Sequence, residues 1–295
     1  MNRKIKGTLY VLLCVALWAL IPVVAKMGQT NLDNHQFLFW SSLVSFVVLS
    51  ISVILSGNIG EFKKYHFKDW GYLSFLGLLG TYIYYLFLYL GYSKTTGMEV
   101  LVVQYTWPIL IVIFSIFILK ERLNYKKIIA IVLGFIGVVM ILTKGEFQNI
   151  NIINAPVIGL VGTGAACFAL FSVLSKNIKK EPLGVVTVYF LTACLASFLS
   201  MLYYSEFALP SVAEIMPVLL NGILVNGFSY VFWLLALRST EASYLAPFTF
   251  ITPVLSAIYL IVFFDEPFIA AYGIGLICVV AGGLVNSIAY RKKAT

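Results

Sequence analysis

Residues 97–142 read GMEVLVVQYTWPILIVIFSIFILKERLNYKKIIAIVLGFIGVVMIL, and residues 242–287 read ASYLAPFTFITPVLSAIYLIVFFDEPFIAAYGIGLICVVAGGLVNS. Laid over each other without a gap, at an offset of 145 residues, Pro108 falls on Pro253, Glu121 on Glu266 and Gly137 on Gly282. The same offset carries upstream, setting Gly77 on Gly222, Tyr85 on Tyr230 and Thr95 on Thr240. An offset of 150 pairs Trp18-Ala19-Leu20 with Phe168-Ala169-Leu170 and Lys26 with Lys176. Self-similarity on this scale marks a duplicated unit. The expected organisation is a first unit over 1–143, a connector over 144–155 and a second unit over 156–295.

Composition says what solvent the unit is built for. The chain of 295 residues is 61% hydrophobic and 11% charged, with a mean hydropathy of +0.97, too apolar for a surface facing water. Ten apolar runs follow one another, at 7–27, 35–56, 68–91, 97–119, 125–143, 156–177, 183–204, 212–237, 242–264 and 268–290. Each is close to the ~20 residues that carry a helix across ~30 Å of hydrocarbon with its backbone satisfied internally. A strand barrel would show alternating segments of ~10 residues, which these runs lack. The first run follows Arg3, Lys4 and Lys6 as a signal peptide would, but it has full spanning length and is read as a retained first helix. The predicted fold class is all-α integral membrane, with ten transmembrane helices in two five-helix repeats.

The net charge of +8 is explained by where the bases fall. In a ten-span layout, 17 of the 20 Lys and Arg residues lie on one side, and Lys26, Lys94 and Lys144 on the other. The positive-inside rule then puts both termini in the cytoplasm of a multi-pass protein of the cytoplasmic membrane. The excess is topological, so no nucleic-acid partner is implied. Because each unit holds an odd number of spans, the second enters the membrane from the opposite side and the repeats are inverted. The loops agree: Lys120, Arg122, Lys126 and Lys127 follow the fourth run, whereas its twin after the ninth, Asp265-Glu266-Pro267, carries no base. Inverted repeats build many carriers whose halves rock about a site near the midplane.

Depth along each run then selects candidate binding residues. Trp18 lies near the middle of the first run, which ends at Lys26. In the third run Tyr82, Tyr85, Tyr89 and Tyr92 share one helical face, and Tyr82 and Tyr85 lie too deep for an interfacial belt. In the fourth, Gln104 and Trp107 precede Pro108, whose ring frees the Gln104 carbonyl from the helix ladder. A freed carbonyl must face protein or a wet cavity. Asn226, Tyr230 and Trp233 share a face of the eighth run, with Asn226 in the twin position of Thr81, and Phe248, Thr249 and Thr252 precede Pro253 in the ninth. Phe168 is the twin of Trp18. The candidate substrate-binding set is Trp18, Tyr82, Tyr85, Gln104, Trp107, Asn226, Tyr230, Trp233 and Phe248. Aromatic and neutral polar, it suits a small organic solute with an apolar or cationic portion.

What is missing narrows the class further. No carboxylate sits deep in a run, so a midplane proton relay is not visible. Glu99 and Glu214 lie about a turn inside one face, and any part for them or for Lys26 is left open. Cys14, Cys167, Cys194 and Cys278 lie inside apolar runs without CxxC spacing and read as buried thiols. HExxH, paired carboxylates and Ser/His/Asp sets are absent at usable spacing, so no metal site, no cofactor and no catalytic residues are expected. Ala130 with Gly137, and Gly275 with Gly282, place small residues seven apart, as close helix packing requires.

These motifs resemble a known family. Trp18-Ala-Leu-x-Pro-x-x-Ala-Lys26, Tyr105-Thr106-Trp107-Pro108 leading to Lys120-Glu121-Arg122, Gly134-x-x-Gly137, and the copy from Ile251-Thr252-Pro253 to Asp265-Glu266-Pro267 look like the EamA domains of the drug/metabolite transporter superfamily. The resemblance implies a ten-helix fold in which helices 1, 3, 4, 6, 8 and 9 line a central cavity. It also implies a secondary transporter whose relatives export or import amino acids, related metabolites, nucleosides, quaternary amines or drugs; with the aromatic, acid-free midplane, the expected activity is efflux of an amino acid or related metabolite by alternating access, by a monomer or homodimer. A quaternary-amine importer for a solute such as choline is the alternative; a membrane-embedded enzyme or a channel is remote. Glu121 and Glu266 match the family's helix-end acid, read as joining helix ends within each half. Ser172 stands where the twin of Pro22 should be, a departure from exact two-fold correspondence.

Overall fold

In the computed structural model, residues 2–94, 97–149, 154–264 and 269–291 are described, and every regular element among them is helical. Nine helices among the described residues are long and apolar enough to cross a bilayer: α1 Arg3–Gly28, α2 Asn34–Leu55, α3 Phe67–Gly91, α4 Val102–Leu119, α5 Tyr125–Leu142, α6 Ala155–Ser175, α7 Pro182–Tyr204, α8 Val212–Ser239 and α9 Ala242–Phe264. A further apolar helix, α10 Ala270–Arg291, follows. Large apolar side chains such as Leu55, Phe117, Leu199 and Val262 point outward, a surface suited to lipid. The interior holds aromatic and small polar side chains instead.

Helix starts follow local chemistry. The Asp33 carboxylate accepts from the His35 and Gln36 amides at 2.8 and 2.9 Å, and Gln36 Oε1 accepts from Asp33 N at 2.8 Å, a reciprocal cap for α2. Asn124 caps α5 through Lys127 N at 2.9 Å, and Glu181 caps α7 ahead of Pro182.

Three spans are interrupted close to prolines, where the missing N–H weakens the ladder, whereas Pro217 sits inside the first helical segment of α8. α1 stops at Trp18 and restarts at Ile21, with Pro22 in its new first turn. The α4 region stops at Gln104 and restarts at Trp107, beside Pro108. In α9 a tight turn at Ala246–Phe250, with Pro247 near its start, precedes Ile251–Phe264. α6, with Ser172 in place of the proline, runs unbroken from Ala155 to Ser175.

Two wide π-helical turns also occupy twin positions, Leu78–Ile83 in α3 and Asn221–Phe228 in α8. The π turn of α3 leaves the Gly80 carbonyl accepting from Tyr230 Oη, 3.0 Å away across the interior.

The helices pack in a pattern closed under exchange of each for the one five places on: α1 with α8, α3 with α6, α2 with α7, and α5 with α10. The α5–α10 contact uses the small residues read from sequence. A Cβ placed on Gly137 would lie 2.7 Å from the Gly275 carbonyl oxygen, and one on Gly282 would lie 2.8 Å from that of Ala130.

Candidate functional site

The breaks in α1 and α4, with the helical part of α9 that follows its own break, surround a cavity of about 470 Å³. Trp18 lies at its floor, and its walls include Pro22 and Ala25 of α1, Tyr89 of α3, Gln104 and Tyr105 of α4, Pro253, Ser256 and Leu260 of α9, and Tyr272 of α10. Lys26, Gln29 and Lys144 line its mouth, at the ends of α1 and α5. From Trp18 to Gly28 the chain climbs about 15 Å at 1.5 Å per residue. Among the described lining residues the charged ones are Lys26 and Lys144, and none is a carboxylate. The Lys26 ammonium stands 4.0 Å from the centroid of the Phe264 ring.

Beneath the floor the rings lock together. Trp18 packs on Trp107, Phe168, Tyr230 and Trp233 with centroids 5.9, 5.7, 6.0 and 5.5 Å away. Trp107 also meets Phe168 edge-on at 4.9 Å. Hydrogen bonds orient the polar edges: Trp233 Nε1 donates to Ser172 Oγ at 3.0 Å, and Gln104 Nε2 to Tyr84 Oη at 2.7 Å. Ser172 thus supplies an acceptor that a proline could not.

Of the candidate residues, Trp18 and Gln104 reach the main cavity; Tyr85 and Trp107, with Trp18 and Gln104, reach a smaller chamber at its base. Tyr230 and Trp233 are each 1% exposed within the ring cluster. Asn226 is equally buried, in the π turn of α8. Tyr82 is half-buried against the core, and Phe248 packs on Tyr244 at 5.3 Å; neither lines the cavity. The π turn explains the tyrosines. An extra residue per turn rotates the helix beyond it by about 100° relative to what precedes, so Tyr84, Tyr85 and Tyr89 are buried while Tyr82, inside the π turn, does not share their face. Tyr84, Tyr105, Lys144 and Thr252 were not selected by depth. Thr252 carried the usable signal, standing directly before a mid-span proline.

The opposite end of the molecule, which carries most of the bases, is closed below the rings. The Glu121 carboxylate, after α4, accepts from Ala242 N at 2.8 Å and Ser243 N at 2.9 Å, the first amides of α9. Lys176 Nζ lies 3.7 Å from Glu121 and donates to the Leu237 and Thr240 carbonyls. Burial lowers the pKa of Lys176, and the negative charges of Glu121 and Glu241 oppose that shift. Lys127, 2% exposed, donates to Glu241 at 2.7 Å, Ser243 Oγ at 2.8 Å and the Arg122 carbonyl at 3.0 Å. The expectation for Glu121 is thereby corrected: it joins the first half to the second instead of tying helix ends within one half. Its capping reach spans 121 residues of sequence, which no local pattern displays. Glu266, its twin, lies outside the described residues. At the far end, buried Glu214 accepts from Asn31 N at 2.8 Å and Leu32 N at 3.0 Å, joining α8 to the α1–α2 turn.

A multi-pass helical membrane protein with broken helices around a one-sided cavity has the build of a carrier. The chain belongs to the EamA-like transporter family, whose pattern it matches over residues 5–143 and again over 156–288. It is 26% identical over 283 residues to an uncharacterized transporter of Archaeoglobus fulgidus, covering 94% of this chain and 96% of that one. It is 25% identical over 218 residues to the aromatic amino acid exporter YddG of Ancylobacter novellus, covering 73% and 76%. A protein of known crystal structure superposes with a TM-score of 0.88 over 99% of this chain and 100% of that one, at 20% identity. At that identity the likeness concerns the fold. Family and relatives alike describe a transporter and not an enzyme.

Proposed function

We propose that this transporter carries an amino acid or a similar zwitterionic metabolite with a bulky apolar or aromatic side chain outward across the cytoplasmic membrane. Ten spans in two inverted units, 1–143 and 156–295, with both termini in the cytoplasm, would place the cavity mouth outside and the Glu121 closure inside. The observation that carries the reading is the lining itself: an apolar and aromatic floor beneath a mouth whose described charges are Lys26 and Lys144. The floor suits a ring or a branched side chain, and Lys144 at the mouth suits a carboxylate. The relative named as an aromatic amino acid exporter supports the same class. Transport then proceeds by alternating access: the rings part toward the cytoplasm as the mouth closes.

Purified protein is screened by thermal shift against amino acids, nucleosides, quaternary amines and sugar phosphates. Hits are then taken into counterflow assays in proteoliposomes. Protection and exchange by aromatic or large aliphatic amino acids is the expected outcome. Protection by choline alone, or by sugar phosphates alone, overturns the reading.

A further inference from the structure

At the base of the cavity lies a chamber of about 20 Å³. It shares Trp18, Ile21, Gln104 and Tyr105 with the main cavity, so the two spaces adjoin. Two polar atoms on its lining residues are unsatisfied. Trp18 Nε1 and Thr252 Oγ1 are buried and have no hydrogen-bond partner among the described residues, although both residues are at least nine-tenths buried. Native interiors rarely leave such groups unpaired without a ligand or water to meet them. The chamber is also about the size that one oxygen atom needs, roughly 10–15 Å³ of probe-occupied space.

The donor inventory restricts what that atom can be. An indole N–H only donates, whereas a threonine hydroxyl both donates and accepts. A hydroxyl oxygen answers both groups at once, accepting from Trp18 Nε1 and donating to Thr252 Oγ1. A carboxylate fits poorly, because the described chamber lining holds no cation to offset its desolvation. Lys144 at the mouth is the better place for a negative charge, which leaves the neutral end of a solute pointing at the floor.

We propose that the chamber between Trp18 and Thr252 is a one-oxygen subsite that selects solutes whose apolar end carries a neutral hydroxyl, so that a hydroxyphenyl side chain is preferred over a phenyl one. The inference rests on the amino-acid reading above and adds a specificity to it. A site built to bond a hydroxyl penalises the analogue without one, because its own polar groups then stay buried and unpaired.

The test compares the dissociation constants of tyrosine and phenylalanine for the full-length protein in detergent, in the parent, Thr252→Val and Thr252→Ser. Tyrosine should bind about tenfold more tightly to the parent, as one net hydrogen bond gives. The ratio should fall several-fold in Thr252→Val, where only the Trp18 donor is left to meet the hydroxyl, and return in Thr252→Ser. Equal binding of the two amino acids by the parent overturns the subsite while leaving the amino-acid reading intact. Binding of neither overturns that reading; p-cresol against toluene, which lack an amino-acid end, then tests the subsite alone. Absence of a p-cresol preference in that comparison overturns it.

Discussion

Asn226 is 1% exposed in the π turn of α8, and its side-chain oxygen Oδ1 accepts no hydrogen bond among the described residues. An unpaired buried acceptor costs about 1–3 kcal/mol, so it raises the free energy of this conformation relative to one that satisfies it. Its neighbours do not share the defect: Asn221, five residues earlier, donates to Ser41 Oγ at 2.9 Å, and Tyr230 is bonded to Gly80. Asn226→Leu keeps the bulk and deletes the unmet acceptor. Purified Asn226→Leu should melt at a higher temperature than the parent and transport more slowly, because the arrangement with the basic end closed is then favoured. A lower melting temperature with parental transport would refute the assignment. The nearby rings behave differently. Trp233 is held by the Ser172 bond and by packing on Trp18 and Trp107. Its truncation should lower stability by about 3–5 kcal/mol, a core role that depth along the helix did not distinguish from a binding one.

Each helix carries its own share of legible and illegible features. Pro22, Pro108 and Pro253 mark interruptions in the sequence because a ring in place of an N–H cannot be accommodated in a regular ladder, and Ser172 marks the one twin that stays continuous. The glycines of α5 and α10 are legible for a similar reason, since only a missing side chain lets two backbones meet. By contrast, the π turn at Leu78–Ile83 is a change of hydrogen-bond register with no residue type of its own. A regular 3.6-residue reading therefore turns Tyr82 inward in place of Tyr84. The Glu121 cap on α9 is hidden for another reason: helix N-termini advertise their own capping residues, not an acid contributed by a distant loop. The α5–α10 contact gives a test at this scale. Gly137→Ala brings a methyl within 2.7 Å of a backbone oxygen that cannot move without its helix, so it should cost about 1–3 kcal/mol, seen as a lower melting temperature. Gly283→Ala, on α10 with nothing within 4 Å of the added methyl, should leave stability unchanged or raise it. Equal losses for both would mean that close approach is not what these glycines provide.

For the whole molecule, the decisive comparison is between the free energy holding the basic end shut and the gap between conformations. Two-state proteins commonly keep the minor state at about 0.1–10%, a gap of a few kcal/mol. Breaking a buried charge pair by removing one partner costs about 3–5 kcal/mol. Glu121, 6% exposed at its side chain, meets Lys176 and two α9 amides together, so its loss should exceed the gap and invert the populations. Glu121→Ala is therefore expected to open the basic end and close the mouth. Single cysteines at Ser243, 1% exposed beside the closure, and at Gln29, on the cavity lining, report the two ends after Cys14, Cys167, Cys194 and Cys278 are replaced. An impermeant thiol reagent should label Gln29→Cys from outside intact cells and Ser243→Cys only in inside-out vesicles. Adding Glu121→Ala should speed the second reaction and slow the first, each several-fold. Labelling of Ser243→Cys from outside would reverse the proposed orientation. If instead Glu121→Ala changes neither rate in a protein that still melts cooperatively, the joint between Glu121 and α9 is a structural clasp, and the gate of this transporter lies elsewhere.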